Sequence, residues 1–423
     1  MKRAPARPSR PAAGFSLVEL LVTLLVTSVL LLAVLATFDF NSRVSRVQTS
    51  VADMQQSLRV SQQEMVRWIR MAGRGGLRTA EPARGLFPPD GLALEVANNV
   101  AADTEIVPGN PLTRVVEGTD VVTVRGVFTS PLYQLNYTEP ATLTLAGGGP
   151  STPPTTGTIV VNDTAVRGVP QNLAALKEAI DRNVPEAILL VSPFDDLFAV
   201  VELVPAASSY DAGTVRLGFR TTGTRGALYG QLSAGGSYPI GLQSVNYLGI
   251  LEEYRFYVRE AHLTPGDETT QLMPKLARAR MYPGTDEPWV DTDNATVDVA
   301  DNILDLQVAL GFDSANSGGA TGTVMEAAGG TTDDWMLNRP GAAGITAELN
   351  EPAFRTNPTP PLYYLRLSTL ARTERRDPKY LAPVIEAIED HEYPATETGI
   401  NSPEERAFRR RVLQTVIDLR NLG

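Results

Sequence analysis

The sequence predicts an α+β protein in which one long N-terminal helix, with a transmembrane first half, packs on a large antiparallel β-rich head. Residues 15–72 contain neither proline nor glycine, which permits a single uninterrupted helix. The 423-residue chain contains 35 glycine and 31 proline residues, and after residue 76 short β-branched segments alternate with turn-rich stretches. These observations favour antiparallel sheets over a parallel α/β fold.

The first part of the helix is a long apolar run with one charged residue. From Phe15 to Phe38 all 24 residues are uncharged except Glu19. At about 1.5 Å per residue this run spans about 36 Å, enough for a hydrocarbon core of about 30 Å. A carboxylate within such a run costs roughly 2.5–3.5 kcal/mol on insertion scales. Glu19 is therefore a candidate functional residue.

The segment before this run is basic, as in a secretory signal, but the rest of the signal pattern is missing. The apolar run is about twice as long as the apolar region of a usual secretory signal. Small residues precede the run, at positions 12–14, instead of following it as a cleavage site would. A plain membrane anchor with its basic N-terminus in the cytoplasm remains an alternative.

Beyond the apolar run the helical pattern becomes amphipathic. Apolar residues recur at steps of three and four, with Ser61 interrupting: Val44, Val47, Val51, Met54, Leu58, Met65 and Trp68. The glycine-rich stretch from Gly73 to Gly76 is a helix stop signal. We expect one helix over residues 15–72 whose second half packs this stripe against the protein's own head.

The head, residues 73–423, contains segments with strand character. The predicted strands are Asp120–Phe128, Thr158–Val161, Ala187–Val191, Leu197–Val204, Thr214–Phe219, Glu252–Glu260, Lys275–Tyr282, Asp305–Phe312, Leu362–Thr373 and Arg410–Asn421. One short helix is predicted at Leu173–Arg182. Gly147–Gly157 and Asp313–Pro361 are predicted loops, and a glycine-rich stretch near 220–245 would divide the head into two subdomains.

Composition excludes several classes of function. The net charge is −11 although the first 14 residues carry only basic charges, so the head is strongly acidic and does not favour nucleic acid. There is no cysteine, and the two histidines, His262 and His391, are far apart in sequence. His391 is expected to be a surface residue. No nucleotide-binding or hydrolase motif is present, so we predict neither an enzyme nor a cofactor.

The best candidate for a cation loop is the acidic stretch from Asp291 to Asn302. An EF-hand loop requires oxygen ligands at positions 1, 3 and 5, glycine at 6 and glutamate at 12. Counting from Asp291 places Ala295, Thr296 and Asn302 at positions 5, 6 and 12. The stretch is therefore predicted to be a solvated loop without a metal. Phe194–Asp196, between two predicted strands, is predicted to be a turn.

The sequence from Gly14 to Leu20, GFSLVEL, resembles the class III signal of type IV prepilins and pseudopilins. The resemblance implies that a prepilin peptidase removes residues 1–14 by cleaving between Gly14 and Phe15, and that the new N-terminus of Phe15 is methylated. It also implies that Glu19 docks against the N-terminus of a neighbouring subunit. Pairing an ammonium with a carboxylate in a medium of low dielectric constant offsets the cost of burying either one, and can fix register.

The order of the predicted strands in the head resembles that of PilW-type minor pilins of type IV pili. This resemblance implies a structural subunit that helps initiate pilus assembly at or near the fibre tip. Its implied partners are other minor pilins, the major pilin, the inner membrane and a tip adhesin. The protein would be a single-pass inner-membrane protein with a cytoplasmic N-terminus and a periplasmic head, and then part of a surface pilus.

Two alternatives remain open at the level of sequence. The J-type pseudopilins of type II secretion share the N-terminal signal and a β-rich head, but they are typically much shorter than this chain. A membrane-anchored adhesive or binding head without a role in a fibre is the third hypothesis. The lack of cysteine is a departure from the PilW-type pattern.

Overall fold

The structure is a computed structural model. It describes residues 16–77, 93–135, 143–146, 155–192, 197–221, 245–262, 272–289, 296–312, 335–337, 362–394 and 399–419. The chain divides into two compact units, residues 1–53 and residues 54–423. A long apolar helix followed by a large antiparallel β head confirms the predicted α+β class.

Helix α1 runs from Leu17 to Met71 and comprises 55 residues without a break. Its C-terminal end follows from the glycines predicted to stop it, since Gly73 has a φ of 74° that residues with a side chain rarely adopt. The apolar stripe is buried from Met54 onward, whereas Val44 is exposed. The packed part of the stripe therefore begins about ten residues later than the sequence predicts.

The aromatic ring of Trp68 fixes the last turns of α1 against the head. Its centroid lies 5.0 Å from that of Phe128 in an edge-on arrangement, and 4.2 Å from that of Tyr254. The guanidinium carbon of Arg278 lies 4.9 Å from the same ring. Such aromatic and cation–π pairs add to the free energy gained by burying the ring.

Gln62 is a polar residue on the buried face of α1. Its Nε2 lies 2.9 Å from Leu413 O, 3.0 Å from Thr369 Oγ1 and 3.3 Å from Leu367 O. The Gln62 side chain is buried, so its amide group donates to the head and not to solvent. Ser61, which interrupts the apolar stripe in the sequence, is also buried and donates its hydroxyl to Leu58 O.

Among its described residues, the head consists of strands, one short α-helix, several single-turn 3-10 helices and connecting turns. The strands are β1 Leu94–Ala97, β2 Val121–Gly126, β3 Tyr133–Gln134, β4 Leu143–Ala146, β5 Thr156–Asn162, β6 Ala187–Ser192, β7 Leu197–Leu203, β8 Ser209–Tyr210, β9 Thr214–Arg220, β10 Tyr247–Ile250, β11 Glu252–His262, β12 Leu272–Met281, β13 Thr296–Asp301, β14 Ile303–Phe312, β15 Trp335–Leu337, β16 Leu362–Arg372, β17 Ala387–Ile388, β18 His391–Glu392 and β19 Arg410–Asp418. Helix α2, Ala174–Asp181, lies within the segment predicted to be helical.

Among the described residues, four antiparallel sheets organise these strands. A five-stranded sheet has the order β1-β2-β11-β12-β13, and a four-stranded sheet has the order β15-β14-β16-β19. An eight-stranded sheet has the order β3-β10-β6-β7-β9-β5-β4, with β8 paired to β9. Strands β17 and β18 form a separate hairpin. Each sheet has the antiparallel pairing that the sequence predicts.

The eight-stranded sheet is inserted into the five-stranded one. Strands β3 to β10 all lie in sequence between β2 and β11, which are themselves adjacent and paired, with Gly126 opposite Glu252. The inserted sheet has its own core, in which Leu173 and Leu176 from the α2 region pack with residues such as Val201 and Leu217. The predicted division into two subdomains near residues 220–245 stays a prediction, since residues 222–244 lie outside the described residues.

Two segments predicted to be loops contain a whole strand each, while a third, Gly147–Gly157, lies outside the described residues up to residue 154 and ends in the first two residues of β5. Strand β13 lies within the acidic stretch from Asp291 to Asn302, and the rest of that stretch up to residue 295 lies outside the described residues. Strand β15 lies within Asp313–Pro361 and pairs with β14. Both are edge strands, so one side of each is not paired. Strand β13 contains two aspartates and resembles a loop in sequence, whereas β15 is apolar but only three residues long. The prediction that the whole of each segment is loop is wrong.

Candidate assembly site at the N-terminus of the long helix

Glu19 lies in the first turn of α1, where its carboxylate folds back on the start of the helix. Ser16 N–H donates to Glu19 Oε2 over 3.1 Å, and Val18 N–H donates to Ser16 Oγ over 3.3 Å. A serine N-cap and a glutamate three residues later form a capping box, which satisfies backbone donors that have no partner within the helix. The Ser-x-x-Glu spacing is readable in the sequence, and it gives Glu19 a local role besides the predicted docking role.

The position of this carboxylate is also electrostatically favourable. The N-terminus of an α-helix carries a partial positive charge, which attracts an anionic side chain in the first turn. This attraction is stronger in surroundings of low dielectric constant than in water. The capping arrangement therefore holds a negative charge at the start of an apolar helix.

The apolar part of α1 presents its side chains outward on all sides. Every side chain described from Leu17 to Phe40 is exposed. Among the described residues, α1 is the single helix that is long and apolar enough to cross a membrane. This outward apolar surface suits contact with lipid tails or with other apolar helices.

Hydroxyl groups within this apolar part are satisfied by the helix itself. Thr23 Oγ1 donates to Glu19 O over 2.8 Å, Thr27 Oγ1 to Thr23 O over 2.7 Å, and Ser28 Oγ to Leu24 O over 2.7 Å. In hydrocarbon an unpaired hydroxyl would be costly. These back-bonds lower the cost of placing the threonines and serine in a membrane.

The predicted cleavage and methylation residues, Gly14 and Phe15, lie outside the described residues. Their roles, and the role of Glu19 in subunit docking, stay predictions. The structure places Glu19 at the helix start, five positions beyond the predicted cleavage site.

Comparison with protein families gives one match, and it lies at the N-terminus. The family described as the prokaryotic N-terminal methylation motif matches residues 9–35. The match supports a type IV pilin-like protein. It spans Gly14, Phe15 and Glu19 and extends through much of the exposed apolar helix. Neither the curated proteins nor the solved structures gave a match.

A pilin-like protein with this motif is processed by a prepilin peptidase and assembles with other pilins. The motif and the exposed apolar helix together support anchoring in a membrane. Pilin-like proteins are structural and are not typically enzymes. The pilin-like character of this chain therefore lies in its N-terminal segment and in the arrangement of a long helix followed by a β head.

His391 differs from the surface residue that the sequence predicts. Its side chain is only 20% exposed, and its Nδ1 lies 3.1 Å from Asp305 Oδ2. Its ring centroid lies 4.3 Å from that of Tyr393. Gln307 Nε2 directs its two hydrogens to Gly118 O and Asp305 Oδ1, which leaves His391 Nδ1 to donate to Asp305. His391 is part of a polar junction between the β17–β18 hairpin and strand β14.

The other candidate sites in the sequence are the acidic stretch from Asp291 to Asn302 and the Phe194–Asp196 segment. Within the part of the chain that the structure describes, no group of three or more His, Cys, Asp or Glu side chains could hold a metal ion. Phe194–Asp196, predicted to be a turn, lies outside that part. Asp298 and Asp301, in the acidic stretch, form ion pairs with Lys275 at 3.1 and 3.4 Å. These two carboxylates are therefore engaged by strand β12.

Proposed function

We propose that this chain is a minor pilin that helps initiate type IV pilus assembly and occupies a position at or near the fibre tip. The observation that carries the proposal is the methylation motif at residues 9–35, on an exposed apolar helix that leads into a large β head. The proposed partners are other minor pilins, the major pilin and a tip adhesin. The head would be periplasmic before assembly and extracellular afterwards.

The size of the head favours a minor subunit. In the part of the chain that the structure describes, four sheets follow the helix, and one of them is an eight-stranded sheet inserted into another. A tip position accommodates a large head because nothing has to stack above it. A J-type pseudopilin of type II secretion is the second candidate, and the length of the chain, 423 residues, favours the pilus over it.

The proposed role of Glu19 is to neutralise the N-terminal ammonium of a neighbouring subunit. Cleavage after Gly14 would leave an ammonium at Phe15, and a carboxylate at the helix start can offset its charge within the membrane. The capping box supports this role because it holds the carboxylate close to the helix N-terminus. The two roles are separable, because glutamine also completes a capping box but carries no charge.

The experiment compares the amount of this protein in sheared fibres with its amount in the inner membrane. Glu19→Gln preserves the cap and removes the charge, whereas Ser16→Ala removes the cap and preserves the charge. We expect Glu19→Gln to lower the fibre-to-membrane ratio at least tenfold. Ser16→Ala should retain most of the wild-type ratio, since losing an N-cap costs only about 1 kcal/mol.

Two outcomes would contradict the proposal. A wild-type ratio for Glu19→Gln would show that its charge has no part in docking. Recovery of the wild-type protein only in the periplasmic and membrane fractions, with none in sheared surface fibres, would instead favour the pseudopilin.

A further inference from the structure

One surface of the head is basic although the chain as a whole is acidic. Residues 372–384 and 404–411 carry eight basic and four acidic side chains, whereas the whole chain has a net charge of −11. The two segments are adjacent in the structure, since Ala382 N–H donates to Arg406 O over 2.7 Å. We call these two segments together the basic surface.

Ion pairs neutralise only part of this basic charge. Three ion pairs lie within the basic surface: Arg372–Glu405, Arg376–Glu404 and Arg409–Asp377. The other five cations of the surface form no ion pair with any described residue: Arg375, Lys379, Arg406, Arg410 and Arg411. Arg375, Lys379 and Arg411 are exposed, so an anionic partner from outside the chain can reach them.

Arg406 and Arg410 are held side by side by backbone carbonyl groups. Arg406 Nε donates to Ala382 O over 2.7 Å, and Arg410 Nη2 donates to Pro383 O, the next carbonyl along the chain, over 2.9 Å. Burial and the neighbouring cation Arg406 lower the pKa of Arg410. Arg410 is also the register partner of Arg372, and like charges directly opposite each other on paired strands are unfavourable. An external anion would relieve this repulsion.

Exposed apolar side chains lie within the same surface. Leu381 is 59% exposed and Val384 is 40% exposed, whereas Ala382 between them is buried against the backbone of Arg406. Exposed apolar residues occur singly on most proteins. Apolar side chains set among cations are typical of surfaces that enter the boundary between lipid headgroups and acyl chains, where area burial and attraction to anionic lipids act together.

A phospholipid surface fits this combination better than a soluble anion or a nucleic acid does. Lipid phosphates can contact the cations while acyl chains cover Leu381 and Val384, whereas a free phosphate or a DNA backbone covers no apolar side chain. The apolar helix α1 supports anchoring of the chain in a membrane, so headgroups are present at a high effective concentration. The rest of the head is acidic, so anionic lipids repel it and favour contact through the basic surface alone.

We propose that the basic surface, through its cations and through Leu381 and Val384, binds an anionic phospholipid surface and so holds the head in one orientation on the membrane. Each lysine or arginine near an anionic leaflet favours the contact roughly fivefold. This attraction falls off over a Debye length, about 8 Å at physiological salt. The inference rests on membrane anchoring and not on the kind of fibre that the protein enters.

The test uses the full-length protein in lipid nanodiscs with a fluorescent label. The chain has no cysteine, so Val384→Cys gives a single attachment point for a dye that brightens in apolar surroundings. The dye should emit more strongly, and at shorter wavelength, in discs containing phosphatidylglycerol than in discs of phosphatidylcholine. This difference should shrink in about 1 M sodium chloride, where the Debye length is about 3 Å. Val169→Cys, an exposed position between β5 and β6, should give the same emission in both lipids.

Charge variants separate lipid binding from folding. Lys379→Gln combined with Arg411→Gln removes two exposed charges, so it should lower the ratio of docked to undocked heads roughly 30-fold. The unfolding temperature should stay at the wild-type value, because neither side chain makes a contact with the described head that folding requires. Arg216→Gln, an exposed arginine of β9, is the matched control and should leave the emission unchanged. Leu381→Ser should weaken docking but keep its salt dependence.

Several results would overturn the inference. Equal emission from the Val384 label in the two lipids would show that the surface does not dock, and an equal change at Val169 would indicate a response of the whole head. A phosphatidylglycerol response that survives loss of the Lys379 and Arg411 charges would place the contact elsewhere. Binding of duplex DNA in detergent that the same double variant abolishes would make nucleic acid the occupant. A shift caused by glycerol phosphate in phosphatidylcholine discs would indicate a soluble anion.

Discussion

Arg278 Nη1 donates to Glu64 Oε1 over 2.8 Å, which joins strand β12 to helix α1. The same oxygen accepts from Trp68 Nε1 over 2.8 Å. Glu64 therefore orients both the guanidinium and the indole, which themselves stack on each other. The helix is held to the five-stranded sheet by one group of mutually supporting contacts.

Trp68→Ala should strongly destabilise the head. The ring is 7% exposed and contacts Phe128, Tyr254 and Arg278, so its removal leaves a cavity. We expect the free energy of unfolding to fall by about 3–5 kcal/mol. Val60→Ala, on an exposed face of the same helix, should cost no more than about 0.5 kcal/mol. Urea unfolding followed by circular dichroism gives both values, and equal effects of the two variants would show that Trp68 is not an anchor.

Gln62→Glu should be far more damaging than Gln63→Glu. Two of the three acceptors of Gln62 are backbone carbonyl oxygens, Leu367 O and Leu413 O, so a carboxylate there would be buried against them, whereas Gln63 is exposed. The expected loss is about 3–5 kcal/mol for Gln62→Glu at pH 8 and under about 0.5 kcal/mol for Gln63→Glu. Burial would raise the pKa of the new carboxyl, so its cost should shrink as the pH falls to 5. A pH-independent loss would contradict this explanation.

Glu186 should make the stability of the head depend on pH. It is 2% exposed, and burial raises the pKa of Glu186 to about 7, although the nearby cations Arg182 and Arg280 oppose this shift. The folded-state pKa lies above the ordinary value of 4.5. Protonation of Glu186 therefore stabilises the folded state fully below pH 4.5, and this stabilisation is lost as the pH rises through about 7.

The measurement for Glu186 is the free energy of unfolding at pH 5 and pH 8. The wild type should lose roughly 2–3 kcal/mol more than Glu186→Gln over this interval. Glu374→Gln, at an exposed position, should behave as the wild type does. If Glu186→Gln shows the wild-type pH dependence, another group is responsible for it.

Two glycines with positive φ angles allow the cost of backbone strain to be separated from the cost of steric crowding by an added Cβ. Gly75 has a φ of +102°, and a Cβ there would lie 2.8 Å from Val127 Cγ2 and 3.1 Å from Leu189 Cδ2. Gly109 has a φ of +79° and nothing within 4 Å. We expect Gly109→Ala to cost about 1 kcal/mol for its backbone conformation, and Gly75→Ala to cost about 2–4 kcal/mol because crowding is added. Thermal unfolding curves would reveal the difference, and equal midpoints would exclude crowding.

The mature chain should begin at Phe15 with a methylated amine, which follows from the methylation motif at residues 9–35. Mass spectrometry of the N-terminal peptide from assembled material measures this directly. Gly14→Leu should block processing and leave residues 1–14 attached, whereas Ala13→Leu should be cleaved. Finding residues 1–14 on assembled wild-type protein would contradict the predicted cleavage.

The long-range features of the head could not be predicted from local sequence patterns. The central strand β11 was predicted because most of its residues are aromatic, β-branched or charged, a composition that is local and typical of a strand. Strand β13 was not predicted, because it is an edge strand whose aspartates resemble those of a loop. The uninterrupted helix α1 was predicted because its only requirement, a run without proline or glycine, is local.

The polar contacts of the head depend on residues far apart in the chain. Gln62 meets Leu413 O only after β19 has paired with β16, and no pattern around Gln62 indicates this contact. His391 was predicted to be exposed because its neighbours are charged, yet the hairpin places it against Asp305 of β14. At the candidate assembly site, the signal motif in the sequence identified Gly14, Phe15 and Glu19. The capping role of Glu19 was recognised only from its contact with Ser16 in the structure.

The insertion of the eight-stranded sheet between β2 and β11 has a consequence for the evolution of this protein. Gly126 and Glu252 are register partners, so the chain leaves the five-stranded sheet and re-enters it at neighbouring positions. Segments whose two ends adjoin are readily gained, lost or exchanged, because the host domain needs no rearrangement to close the gap. The surface of the eight-stranded sheet can therefore change during evolution while the contact between Trp68 and Tyr254 continues to pack the five-stranded sheet against α1.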